Sequence, residues 1–274
     1  MLGLFAACWS GERAVISRGR RTILMRSQLS AEDDPYYLAQ RKARPAASEY
    51  SEMKDVDNEL QHNGEYSIVD ASSLIDSNGA LAERMTTVVN WAYRGKGDSG
   101  DSSNAWTTER HLLSGIRTTA ADVDAMLSAA REVGPANRAL FVARLAAESE
   151  NDDEVSRVVG TIQVERSDDG SEAEIGLFSV DPDLQGSGMG SNLLRAAEWH
   201  AATVMGAKTA VLWVITSRAD LRRWYETRCG YVATERTAPF PTDANVGMPK
   251  PGVMIEFVRL EKALETTGVK AGML

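Results

Sequence analysis

The chain has 274 residues, a mass of 29.8 kDa, a formal net charge of −9 and a sequence pI of about 5.0. Its 43% hydrophobic and 25% charged residues suit one substantial globular domain with appendages, and no apolar run reaches the ~18 residues that span a bilayer. Two cysteines are too few for a disulfide framework, three scattered histidines give no zinc-ligand spacing, and an acidic chain is a poor match for nucleic-acid backbones.

Residues 1–30 hold five arginines and one acid, so a net +4 there leaves −13 for the rest of a chain of −9. An Arg- and Ser-containing, acid-poor start has the composition of an organellar transit peptide, and equally of an extension with no address. From Ala31 to Asn63 the sequence is polar and of mixed charge, with no sustained apolar face. The expected organisation is an extension over 1–63, a domain over 64–264 and a tail over 265–274. The expected location is the cytoplasm, or a plastid or mitochondrion if 1–30 is a transit peptide.

Patterned sequence begins near Glu65, where Glu65–Ala71 predicts a short strand. Ala80–Arg94 predicts a helix, with Met85, Val88, Val89, Ala92 and Tyr93 on one stripe and Gly95 as its stop. The run GKGDSGDSSN reads as a solvated loop. Trp106–Arg117 and Ala120–Arg131 predict two more helices, the second opened by a Thr119–Asp122 capping box. Arg138–Ala146 and Ser156–Arg166 read as paired strands, and Ala173–Val180 as an interior strand, apolar on both faces. Gly188–Met205 predicts an amphipathic helix closed by Gly206. Thr209–Thr216 is a further two-sided strand, Ala219–Arg228 a short helix, and Tyr231–Arg236 and Gly252–Leu260 are strands. This order predicts a mixed sheet flanked by helices.

Gln185-Gly186-Ser187-Gly188-Met189-Gly190 lies between a buried strand and an amphipathic helix. Small residues let backbone amides converge at a helix N-terminus, which suits a phosphate. A P-loop would need a Lys-Ser/Thr pair, which is missing. A dinucleotide fingerprint would need a sixth-position glycine and a distant acid, where Ser191 and Lys208 stand. The remaining pattern, Q/R-x-x-G-x-G/A, resembles the pyrophosphate loop of the GCN5-related N-acetyltransferase (GNAT) superfamily. SVDPDLQGSGMGSNLL is similar to that superfamily's strand–loop–helix signature, and LRRWYETRCGY is similar to its second signature. The likeness runs from about Glu65 to Leu260. Two positions depart from it: Arg218 stands where members often carry Asn, and Leu221 where a small residue is usual.

The resemblance implies an α/β fold of acyl-CoA N-acyltransferase type (an α+β sandwich), with a mixed, mostly antiparallel seven-stranded sheet flanked by helices. It implies acetyl-CoA as cosubstrate and no metal. It also implies that main-chain groups near Phe178, Ser179 and Val180 pair with the pantetheine arm. Gln185, Gly186, Ser187, Gly188, Met189, Gly190 and Ser191 would cradle the pyrophosphate. Against each stands a plain structural reading: a core strand, and a Gly-rich turn into a helix.

Tyr225 is the candidate general acid, because a phenol with pKa near 10 is protonated at neutral pH and can donate to a leaving thiolate. A core aromatic is the alternative, and Trp224 fits that better. Glu174 is the candidate base, on a face shared with Gly176, Phe178 and Val180, where burial raises a carboxyl pKa. A structural carboxylate, another acid or water are its competitors. His200 reads as a satisfied core histidine, His111 as a weak substrate-facing candidate, and Cys229 lacks a nucleophilic constellation. Trp91, Tyr93 and Trp106 flank the 95–105 loop and are candidates to wall an acceptor pocket.

The expected activity is acetyl transfer to a primary amine of a small molecule or protein, without nucleic-acid partner or membrane insertion. The acidic body favours a cationic amine. A non-catalytic CoA-binding sensor or scaffold is the alternative, and a phosphate-ligand binder unrelated to acyl transfer a third reading.

Overall fold

The computed structural model describes residues 60–62, 66–74, 79–97, 105–148, 153–241 and 247–265. The leader over 1–30, most of the linker and the end of the tail lie outside the described residues. Strands β1 (Leu60–His62) and β2 (Tyr66–Asp70) lead to helix α1 (Ala80–Arg94). Then follow β3 (Leu113–Ser114), α2 (Ala120–Val133), β4 (Arg138–Leu145), β5 (Val158–Arg166) and β6 (Glu172–Val180). Helix α3 (Met189–Thr203), β7 (Thr209–Ile215), α4 (Ala219–Trp224), β8 (Val232–Pro239), β9 (Met248–Pro249) and β10 (Glu256–Ala263) complete the order.

The main sheet runs β1-β2-β4-β5-β6-β7-β10-β8, with β3 and β9 paired separately. Seven long strands form the expected mixed sheet, and the three-residue β1, inside the segment read as extension, adds an eighth at the edge. Every pairing in the main sheet is antiparallel except β6 with β7.

Two apolar layers cover the sheet. On one face α3 sets Met189, Leu193, Leu194, Ala197 and Ala201 against Ile162, Val164, Ala173, Ile175 and Leu212. A Cβ on Gly160 would meet a Leu193 methyl at 2.8 Å, so this glycine lets the helix sit close on β5. On the other face α1 and α2 set Leu81, Met85, Val89, Val123 and Leu127 against Leu140, Val142, Val158 and Leu177. The Thr119–Asp122 capping box opens α2 as expected.

The segment expected as a helix over Trp106–Arg117 is irregular, with only β3 regular within it. Its carbonyls at 106, 107 and 108 accept from Arg218, and the Glu109 amide donates to the Tyr93 carbonyl. Backbone groups spent this way cannot form the i to i−4 ladder of a helix. Leu112 and Leu113, which suggested an amphipathic stripe, instead join Ile215, Phe240 and Ile255 in a third, smaller apolar cluster. The helix expected over Ala219–Arg228 is α-helical only to Trp224 and widens to a π turn over Tyr225–Cys229.

Candidate active site

Strands β6 and β7 pair only at Glu172–Thr209, Ala173–Ala210 and Glu174–Val211, and then part. The cause is on β6. Its register against β5 slips between Thr161 and Gln163, placing an extra residue on β6, and Leu177 has φ +47. A left-handed leucine marks a strained bulge, a feature that bends a strand and re-aims its side chains. Beyond Glu174 the β7 side of β6 is an open edge.

The bulge also corrects one expectation. Phe178 and Val180 pack on the α3 face with Ala173 and Ile175, whereas Leu177 packs on the α1–α2 face. Glu174 and Gly176 therefore face opposite to Phe178 and Val180, because the extra residue inverts the strand's alternation. Strict period-two reading placed all four on one face.

Main-chain carbonyls of Phe178 and Val180 point into the open edge. The Tyr93 hydroxyl donates to Phe178 O at 3.2 Å, and Gln185 Nε2 donates to Val180 O at 3.1 Å. Ser179 points elsewhere: its register partner is Thr161 on β5, and its hydroxyl is buried 2.7 Å from the Thr161 hydroxyl. Past the strand, Asp181 caps a 3-10 turn over Pro182–Leu184, and Lys96 bridges Asp181 and Asp183 at 2.5 and 2.6 Å.

The glycine loop follows. Gly186 and Gly188 hold φ of +86 and +93, conformations that side-chain-bearing residues rarely adopt. The chain thus enters α3 at Met189 with the first-turn amides directed outward. The Met189 side chain is in the core, so only its backbone can serve a ligand. The Ser187 hydroxyl donates to Leu184 O at 2.8 Å and accepts from the Met189 amide at 3.4 Å. Gly190 and Ser191 lie in the first turn, where a Cβ on Gly190 would touch the Phe178 ring at 3.5 Å. Gln185 Oε1 is buried with no hydrogen-bond partner among the described residues. An orphaned acceptor beside a strand edge and a helix N-terminus fits a ligand bearing amide N–H groups and a phosphate.

Tyr225 starts the π turn and packs on the α3 face, 7% exposed, against Trp224 and Tyr231. Burial pushes its phenol well above the ordinary range, reinforced by the neighbouring Tyr93. Glu174 lies across the sheet from it, at the last paired position before the gap. Burial, with the nearby Glu165, raises the Glu174 carboxyl to about 7, and Arg259 and the Trp213 indole pull the other way. The gap thus has a protonated phenol on one face and a carboxyl poised near neutrality on the other.

Segment 105–118 covers the Glu174 face of the gap. Trp106 meets Trp224 edge-on at 6.0 Å, and Thr107 Oγ1 accepts from Gln185 Nε2 at 3.0 Å. Arg117 lies over the Tyr93 ring at 5.0 Å. Trp91 is not part of this wall; it is covered by Lys96 at 4.4 Å and Arg84 at 5.4 Å. His111 is exposed, and burial and Arg218 lower its pKa. His200 is buried with Nε2 2.7 Å from Pro135 O, a satisfied structural histidine. Cys229 is half-buried beside Tyr225 and Tyr231. Sequence reading missed Trp213, whose indole lowers the Glu174 pKa against the effect of burial, and met Arg218 only as a departure from a pattern; both owe their relevance to sheet register and long-range contacts.

The family model for the acetyltransferase (GNAT) family matches residues 119–231. That segment belongs to the GNAT family. It opens on the cap of α2, ends at Tyr231 and contains Glu174, the glycine loop and Tyr225. The family that this segment matches is one of acetyl-transferring acyltransferases. Among solved structures, yncA from Salmonella typhimurium, with its cofactor acetyl-CoA, is 19% identical. That match covers 76% of this chain and 99% of that one, with a TM-score of 0.46. An acetyltransferase from Streptococcus agalactiae is 15% identical over 74% of this chain and 100% of that one, with a TM-score of 0.46. Comparison with curated proteins finds no match. Helix α1, segment 105–118 and the strands after Tyr231 lie outside the GNAT match.

Proposed function

We propose that the protein is an N-acetyltransferase moving the acetyl group of acetyl-CoA directly to a primary amine. The observation that carries this reading is the β6–β7 gap, with Tyr225 on one face and Glu174 on the other. Acetyl-CoA lies with its pyrophosphate on the first-turn amides of α3 and its pantetheine along Phe178 and Val180. Gln185 Oε1 accepts an N–H from that arm.

The amine enters from the Glu174 face. Glu174 takes an amine proton as nitrogen attacks the thioester carbonyl and a C–N bond forms. The C–S bond then breaks, and the phenol of Tyr225 protonates the leaving thiolate. Solvent then carries the proton from the Glu174 carboxyl back to the Tyr225 phenolate, which resets both groups. The proposed domain spans 64–264, behind an extension whose fate sets the location, cytoplasmic or organellar. N-terminal sequencing of the mature protein decides between these.

The test is a screen of amines with acetyl-CoA, following thiol release, across small amines, amino acids, polyamines and peptide N-termini. One class is expected to release thiol at a rate saturating in amine. Tight acetyl-CoA binding with no amine turned over would instead make the chain a CoA-binding sensor or scaffold.

A further inference from the structure

Arg218 stands just after β7 and is 3% exposed. A guanidinium has five N–H donors in a rigid planar fork, and here all five are engaged. Nη1 donates to Thr107 O at 2.9 Å and Thr108 O at 3.0 Å, and Nη2 to Trp106 O at 2.8 Å. Nε and the second Nη2 proton go to the two carboxylate oxygens of Asp220, each at 3.1 Å. Three successive carbonyls of one segment thus converge on a single buried cation.

That segment has no regular structure of its own before Leu113. Around the three carbonyls it is also tied by the Thr107 hydroxyl donating to Ala92 O at 2.9 Å and accepting from Gln185 Nε2 at 3.0 Å, by the Glu109 amide donating to Tyr93 O at 2.9 Å, and by the Arg94–Glu109 ion pair at 3.1 Å. Trp106, anchored this way, meets Trp224, which meets the Tyr225 ring at 4.9 Å. The cation therefore ties the wall on the Glu174 face to the element that carries the phenol. Loop and cation need each other: without the carbonyls a buried guanidinium is costly, and without the guanidinium three half-buried carbonyls lose their donor.

We propose that Arg218 is a positioning residue for the acceptor amine. It fixes the 106–108 wall against which the amine docks over the β6–β7 gap, and Asp220 holds the guanidinium in plane. The proposal rests on the acetyl-transfer reading of the same cleft.

The experiment uses the full chain with Arg218→Gln, Arg218→Lys and Asp220→Asn, and spermidine, glycine and 2-phenylethylamine as probe amines. Three readouts are taken: kcat and KM for the amine that turns over, acetyl-CoA affinity by calorimetry, and amide hydrogen exchange over 106–113. Arg218→Gln should raise amine KM about tenfold or more with kcat within about threefold, the pattern of lost binding rather than lost chemistry. Acetyl-CoA affinity should stay within about threefold while exchange over 106–113 accelerates, since the carbonyls lose their shared donor.

Arg218→Lys keeps the charge but not the planar fork, so it should recover only part of the KM. Asp220→Asn leaves the loop contacts in place and should shift KM about threefold in the same direction, so it serves if the Arg218 variants fail to fold. Unchanged exchange, unchanged KM, or kcat and acetyl-CoA affinity falling together would overturn the proposal. Wild-type protein that binds acetyl-CoA but acetylates neither these probes nor any amine, amino acid, polyamine or peptide N-terminus of the wider screen defeats the acetyl-transfer reading before any variant is made, and this proposal falls with it.

Discussion

The two halves of the cleft are built in different ways. The half proposed to hold the cofactor is one continuous stretch of chain, β6 through the glycine loop into α3, and apart from Gln185 Oε1 the groups it offers are main-chain carbonyls and amides. The acceptor half is assembled from pieces far apart in sequence. Arg218 reaches across 110 to 112 positions to hold 106–108, and Ser114 across 134 to reach Met248 O. The family match covers the first half and leaves most of the second outside. A shared cofactor can be gripped by backbone whose side chains vary, whereas a wall held by side chains can be rebuilt for a different acceptor without disturbing the sheet. The halves meet at the Gln185–Thr107 hydrogen bond and where the Tyr93 hydroxyl donates to Phe178 O.

The harshest way to break this picture is Tyr225→Phe. The phenol is held protonated by burial, so it can donate throughout the neutral range. Removing the hydroxyl should cut kcat by about 10²–10⁴-fold, the usual worth of a positioned general acid. Acetyl-CoA affinity, owed to the backbone of the other half, should hardly move in calorimetry. Unchanged turnover would take Tyr225 out of the mechanism, and a matching loss of acetyl-CoA affinity would make it a packing residue.

Glu174→Gln probes the other face, with a change of about 10²-fold in kcat/KM if Glu174 is the base. In the wild type, kcat/KM should rise through pH 7 as the carboxyl, raised to about 7, loses its proton. The variant should lack that limb. The same shift has a stability consequence of defined sign. A carboxyl raised from an ordinary 4.5 to about 7 binds its proton more tightly in the folded state. Its contribution is present below about 4.5 and is lost as pH climbs to 7, of the order of 3 kcal/mol at ~1.4 kcal/mol per unit. Glu198, also raised by burial, adds to the slope but is untouched by the variant. Urea unfolding at pH 5 and pH 8 should therefore show a smaller decline for Glu174→Gln than for wild type. Equal declines would mean that Glu174 is not buried as described.

The unequal construction also decides what could be read from residues alone. Helix α1, the Thr119–Asp122 box and the Gln185–Ser191 loop are specified by neighbours within a few positions, so their patterns stand in the sequence. The bulge does not. Leu177 adopts φ +47 because the register of β6 against β5 takes up an extra residue there, and nothing about leucine announces it. The face on which Glu174 lies was misjudged for that reason, although its burial and raised pKa were anticipated. Segment 105–118 misled in the opposite sense. Leu112 and Leu113 give a helical stripe, but a donor more than a hundred residues away claims the carbonyls a helix would need. Arg218 stood out only as a departure from a pattern, with no sign of what it held.

Thr107→Val is the smallest change and the sharpest test of whether the halves are separate. The Thr107 hydroxyl accepts from Gln185 Nε2 at 3.0 Å and donates to Ala92 O, and valine keeps the shape while removing both bonds. Gln185 retains Val180 O at 3.1 Å, so the cofactor loop should keep its place. A net hydrogen bond is worth about 0.5–1.5 kcal/mol, so shifts of about two- to tenfold are expected. If the bond couples the halves, acetyl-CoA Kd and amine affinity should weaken together. By linkage, the factor by which each ligand alters the other's affinity must shrink equally, measured from either side. If amine affinity alone weakens, Thr107 belongs to the acceptor wall only, and the two halves share a gap but no energy.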